Sequence, residues 1–203
     1  MKVDIIQRKP AKVAGLHARF ISILSADAPA NNPIKPLWDG FSRSFQQVPN
    51  RVGQQMYGLI YGSPMSERTH PDELNYIAAV EVSSLDGLPK GFVGREVPGG
   101  TYARATHAGL LGNLKRTLQV LYREALPAAG LEPVGTEIEV YDQRFKGDSM
   151  ESEMDILVAV RPAARKPEPA KEKPVKKSSL ARPKRPAAKK KPIKKAGKKK
   201  AKR

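Results

Sequence analysis

Apolar residues alternate or cluster in short runs over the first 160 or so positions, then stop. The runs at 3–6 (VDII) and 13–17 (VAGLH) are separated by Lys9-Pro10 and predict two strands or one broken strand. From Pro33 the period changes. Leu37, Trp38, Phe41 and Phe45 recur at spacings of three and four, which places them on one face of a helix. Residues 55–61 and 75–82 predict strands, with a polar loop at 62–74 between them. Residues 92–97 and 101–107 predict strands flanking Pro98-Gly99-Gly100, where glycine accepts a positive φ. After Gly112 a second helical stripe uses Leu114, Leu118, Leu121, Tyr122, Ala125 and Leu126, with Pro127 near its end. Residues 136–141 and 154–160 predict the last two strands.

The pattern repeats. VAGLH, a helix, MYGLIYG and YIAAVEV in the first half answer YARATHAG, a helix, IEVYDQRF and MDILVAV in the second. The expected fold is α+β: two strand–helix–strand–strand units that form one antiparallel sheet with two helices and a central cleft where the halves meet. Clefts at such junctions are common small-molecule sites.

Charge divides the chain. Residues 163–203 carry 19 Lys and Arg against two acids, Glu168 and Glu172, whereas residues 1–162 carry 18 of each sign. The expected organisation is therefore a folded domain over 1–162 and a basic tail over 163–203. The tail is Lys/Pro/Ala-rich, lacks aromatics and has only Val175, Leu180 and Ile193 as sizeable aliphatics. It cannot bury enough apolar area to offset roughly 1–2 kcal/mol of backbone entropy per residue, so disorder is expected. Its role is expected to be electrostatic contact with DNA, through Lys176, Lys177, Lys184, Arg185, Lys189, Lys190, Lys191, Lys194, Lys195, Lys198, Lys199 and Lys200. In composition it resembles the tails of linker histones and bacterial histone-like proteins.

Other chemistry is thin. The chain has no cysteine, which excludes disulfides and thiolate catalysis, and its three histidines (His17, His70, His107) lack metal-ligand spacing. Neither a metal nor a cofactor is expected. The N-terminal segment carries Asp4, Arg8, Lys9 and Lys12 where a signal peptide needs an apolar core, and no run approaches the ~20 apolar residues of a membrane span. A cytoplasmic, nucleoid-associated protein without membrane contact is the expectation.

VAGLH at 13–17, NYIAAVEV at 75–82, REVPGGTYARATHAG at 95–109, IEVYDQRF at 138–145 and MDILVAV at 154–160 together resemble, in that order, the GyrI-like (gyrase-inhibitor-like) family. That family includes effector-binding domains of AraC-type and MerR-type transcription regulators. The resemblance implies the duplicated fold and a central pocket, often lined by aromatics, for hydrophobic and frequently cationic compounds. It also implies a pocket glutamate in a phrase like F-E-x-Y, matched here by Ile138-Glu139-Val140-Tyr141, so Glu139 is the candidate. A carboxylate in such a cleft attracts a lipophilic cation, and aromatic faces add roughly 0.5–2 kcal/mol of cation–π attraction. Glu137 shares the face of Glu139, because strand side chains alternate. Tyr102, Tyr122 and Tyr141 are candidate walls, with Trp38 and Tyr76 behind them and Glu81 as an alternative carboxylate. Asp155 stands where the family often has a glutamate, and His107 at a strand end reads as structural.

The leading expectation is a small-molecule effector-binding domain joined to a nonspecific DNA-binding tail. Two alternatives stand beside it. One is a hydrolase of strained or alkylating molecules, with Glu139 as acid/base and Tyr141 orienting it. The other is a modulator of DNA gyrase.

Overall fold

The computed structural model of the chain describes residues 1–164. Eight strands run β1 (Asp4–Arg8), β2 (Ala11–Ile21), β3 (Arg51–Gly62), β4 (Glu73–Val82), β5 (Val93–Val97), β6 (Gly100–Ala108), β7 (Leu131–Tyr141) and β8 (Glu153–Pro162). Helix α1 (Ile34–Ser44) joins β2 to β3. Helix α2 (Leu114–Val120) joins β6 to β7, continuing through a π turn over Leu121–Ala125 and a last turn Leu126–Ala128.

The strands form one antiparallel sheet in the order β1-β6-β8-β7-β3-β4-β2-β5. The predicted repeat is therefore real: β2-α1-β3-β4 and β6-α2-β7-β8 are the same unit, joined through β3 and β7. Gly58 of β3 lies opposite Glu139 of β7. These two residues also oppose Ala78 of β4 and Ile156 of β8, and they face each other across the junction of the two units. The leading strands are exchanged. β1, at the head of the first unit, pairs with β6, and β5, at the head of the second, pairs with β2. The Lys9-Pro10 break thus separates two strands with different partners.

Both helices lie on one face, each over the outer strands of its own half. α1 buries Phe41, with no exposed area, against Ala14, Phe20, Ala78 and Val80, and α2 buries Leu121 and Leu126 against Ala103, Ala105, Met154 and Ile156. Alanines in the sheet let the helices approach closely. Each large apolar side chain so buried contributes roughly 1.5–3 kcal/mol. The opposite face carries a third core, Val13, Tyr57, Leu59, Ile77, Tyr102, Ile138 and Leu157 among others, that includes no helical residue. The curl of the sheet is what covers it. Neither helix core draws a residue from the centre of β7, so a gap opens between the helices above the central strands.

Two strands begin four or five residues earlier than their apolar pattern predicts. β3 starts at Arg51 and β7 at Leu131, and each has a bulge near its start, between Arg51 and Met56 and between Pro133 and Glu137. Gly53 (φ 93°) and Gly135 (φ 91°) sit in these bulges at near-equivalent positions of the two units. Glycine and proline there hide the strand from its sequence pattern.

Candidate functional site

The gap between the helices is a cavity of about 820 Å³. Its floor is β3 and β7, its flanks are α1 and α2, and most of its lining is apolar, including Phe20, Ile60, Leu114, Leu118 and Phe145. Glu137, Glu139 and Tyr141 project from β7 into it at every second position, as the strand period requires.

Glu139 is 5% exposed, and its Oε2 accepts two hydrogen bonds, from Tyr76 Oη at 2.5 Å and Tyr141 Oη at 2.7 Å. Trp38 Nε1 of α1 donates in turn to Tyr76 Oη at 2.9 Å. Trp38 packs edge-on to Tyr141 with centroids 4.8 Å apart, and Tyr141 edge-on to Phe145 at 4.7 Å. The carboxylate is thus held at the base of an aromatic wall. Gly58 makes the seat possible: a Cβ there would lie 2.1 Å from Tyr76 Oη and 2.5 Å from Glu139 Oε2. Gly58 and Glu139 come from different units, so one unit supplies the acid and the other supplies the room for it.

Glu137, 8% exposed, has a different holder: Tyr122 Oη, carried by the π turn of α2, donates to its Oε2 at 2.5 Å. Burial raises the pKa of both glutamates above the ordinary carboxylate value. For Glu137 desolvation is the largest cause, the neighbouring Glu139 charge adds to it, the Tyr122 bond opposes it, and the result is about 7. For Glu139 desolvation likewise dominates, opposed by the Tyr76 and Tyr141 bonds. Burial pushes the hydroxyls of Tyr76, Tyr122 and Tyr141 well above the usual tyrosine value, reinforced by the adjacent glutamates, so they stay protonated and donate.

Of the residues expected to line the pocket, Glu139, Tyr141, Tyr122, Trp38 and Tyr76 meet in this cavity. Tyr102 and Glu81 do not. Tyr102 belongs to the core on the opposite face and donates to the Pro98 carbonyl at 2.8 Å. Glu81 follows inward-facing Val80 on β4, so alternation turns it away from the helices, where Tyr57 Oη reaches it at 3.4 Å. Asp155 also lies outside the cavity, bound by Thr106 and Arg144. His107 is buried between Thr117 Oγ1 (2.8 Å) and the Leu110 carbonyl (3.2 Å), where it ties β6 to α2. Desolvation lowers its pKa, which favours the neutral ring. Sequence reasoning did not reach Gly58 or the part played by Glu137. The spacing of Glu137 from Glu139 was a usable signal; nothing in the sequence marks Gly58 beyond its place in the repeat.

Among the described residues no His/Cys/Asp/Glu group could hold a metal ion, and no helix is long and apolar enough to cross a membrane. The expected DNA-contacting residues, Lys176 to Lys200, lie outside the described residues.

A duplicated antiparallel sheet with two helices on one face and an aromatic, acidic cavity between them defines an effector-binding domain. The chain belongs to the integron-associated effector binding protein family, Cass2, whose family model matches residues 4–160. It is 28% identical over 160 residues to the transcriptional regulator BrlR of Pseudomonas aeruginosa, a match covering 73% of this chain and 57% of BrlR. The chain therefore spans little more than half of that relative's length. Among solved structures, the fold is similar to an integron cassette protein of Vibrio cholerae (TM-score 0.54, 19% identity, 78% of this chain and 95% of that one). It is also similar to SAV2435, solved bound to tetraphenylphosphonium (TM-score 0.58, 13% identity, 79% and 94%).

Proposed function

We propose that this chain is a small-molecule-responsive regulator whose cavity captures a lipophilic cation, with Glu139 as counter-charge, and whose basic tail holds it on DNA. The observation that carries the cation reading is a buried glutamate in an apolar, aromatic cavity with no cationic partner among the described residues. An uncompensated buried carboxylate is costly, and a cation of the cavity's own size relieves that cost without bringing in water. Tyr141 and Trp38 offer aromatic faces beside the charge, and the tyrosine bonds fix the carboxylate before the ligand arrives. Tetraphenylphosphonium, seen in the similar SAV2435, is a ligand of this class. Similarity to the regulator BrlR supports a place in transcription control.

The test is Glu139→Gln, which keeps the shape and removes the charge. Calorimetric titration with tetraphenylphosphonium and with neutral tetraphenylmethane carrying a solubilising group should show the cation weakened by about 1–3 kcal/mol more than the neutral compound. Equal losses, or none, would reduce Glu139 to a structural residue.

A further inference from the structure

A single cation needs one carboxylate, yet this cavity holds two. No hydrogen bond joins the two carboxyls among the described residues, and each is held by separate tyrosine hydroxyls. Glu139 is anchored on the α1 side through Tyr76 and Trp38, and Glu137 on the α2 side through Tyr122. In each case the bonded atom is Oε2, and Oε1 accepts nothing among the described residues. Those free oxygens open onto the cavity: the one enclosed side-chain atom without a partner among the described residues is Nη1 of Arg8. No described cation pairs with either glutamate, and Lys35, the basic residue in the lining, is bound to Asp39 at 2.9 Å.

We propose that the cavity takes a dication, an elongated apolar molecule with two positive centres, one seated at Glu139 and the other at Glu137. Alternate residues of a strand set the spacing at roughly 6.4–6.8 Å. The proposal rests on the cation reading above and narrows it. The lining around the seats is mostly apolar, with Ile60 of β3 across from Glu137 and Met56 across from Tyr141, so the body of the ligand needs no polar groups. The titratable and charged groups that line the cavity with Glu137 are Tyr122 from α2, Glu139 and Tyr141 from its own strand, Tyr76 from β4, Tyr61 from β3 and Lys35 from α1. None supplies a free positive charge. In the empty cavity Glu137 therefore holds a proton part of the time at neutral pH, and a dication displaces it.

The experiment compares benzyl viologen, a bipyridinium dication, with the isosteric monocation in which one ring nitrogen is replaced by carbon, by calorimetry on the full chain. At pH 8 the dication should bind about tenfold more tightly or better, and the ratio should shrink at pH 6. In buffers of different ionisation enthalpy at pH 7, dication binding should release about half a proton. Glu137→Gln should bring the ratio to about one and abolish the release. Tyr122→Phe, which frees Glu137 and removes a bond that favours its charged form, should move the ratio in the same direction. A ratio that is near one in the unaltered protein, or that survives Glu137→Gln in a folded variant, overturns the proposal. Tetraphenylphosphonium affinity that ignores Glu139→Gln would instead overturn the cation reading beneath it, so the two failures are distinguishable.

Discussion

One absent methyl group decides whether the buried glutamate fits. Gly58→Ala would drive a Cβ to 2.1 Å from Tyr76 Oη, a contact relieved only by moving the tyrosine off Glu139. Overpacking of this kind costs about 1–3 kcal/mol. Urea denaturation should show that loss, and tetraphenylphosphonium titration should show weaker binding in the same variant. An unchanged affinity would make the Tyr76–Glu139 bond dispensable. A second residue-scale prediction concerns pH. Glu137 has its pKa raised from 4.5 to about 7 in the folded protein, so the native state binds more protons than the unfolded state between those values. Stability should therefore be greatest below about pH 4.5 with respect to this group and fall as pH rises through 7, by on the order of 2–3 kcal/mol. Glu139, also raised, acts in the same direction. Glu137→Gln should flatten the slope of unfolding free energy between pH 5 and 8; an unaltered slope would assign it elsewhere.

At the scale of elements, the two bulges are a matched pair with unequal consequences. Gly135 lies in the cavity lining two residues before Glu137, whereas Gly53, near its equivalent, does not line the cavity. Replacing either by alanine forces a side chain into a positive-φ backbone at a cost of roughly 1–2 kcal/mol. Thermal melts should register a similar loss for both variants. Only Gly135→Ala should also disturb cation binding, because only that bulge aims Glu137; equal binding losses would show that the bulges act through global stability. The same elements mark where sequence pattern failed. The cores of β3 and β7 were legible from alternating apolar positions, but their first turns of ladder were not. Proline and glycine at a bulge read as loop, and pairing with β4 and β8 overrides that local preference.

At the scale of the whole chain, a charge-balanced stretch of 162 residues precedes a tail with 19 cations and two acids. The apolar stripes all lie in the first part, so residues 1–162 should fold alone, and their melting curve should nearly coincide with that of the full chain at moderate salt. An unfolded or aggregated truncation would move the boundary. The tail should bind duplex DNA without sequence preference, with a log–log salt slope near −0.9 per phosphate neutralised. With roughly 6–10 contacts, affinity should fall about 10³–10⁵ between 50 and 200 mM salt. Titrations on two unrelated duplexes, with and without residues 163–203, check this. Binding that persists without the tail would make the folded domain the reader.

The sequence by itself determined the nature of the elements, their duplication, the division of charge and the carboxylate most worth watching. The elements, their duplication and the charge division follow from local periodicity and composition, which need no knowledge of what packs against what; Glu139 came instead from the resemblance of residues 138–141 to a family's phrase. Trp38, Tyr76, Tyr122 and Tyr141 were legible as aromatics near a cleft, but so was Tyr102, and only the register of β6 sends it to the other face. Tertiary structure alone decided the exchange of β1 and β5 between halves, the placement of Gly58 across from Glu139, and the bonds of Tyr76 to Glu139 and of Tyr122 to Glu137. Each of these joins positions well apart in the chain: 63 residues separate Tyr76 from Glu139. Such partners are selected by strand register and helix packing together, and no pattern within one segment encodes them.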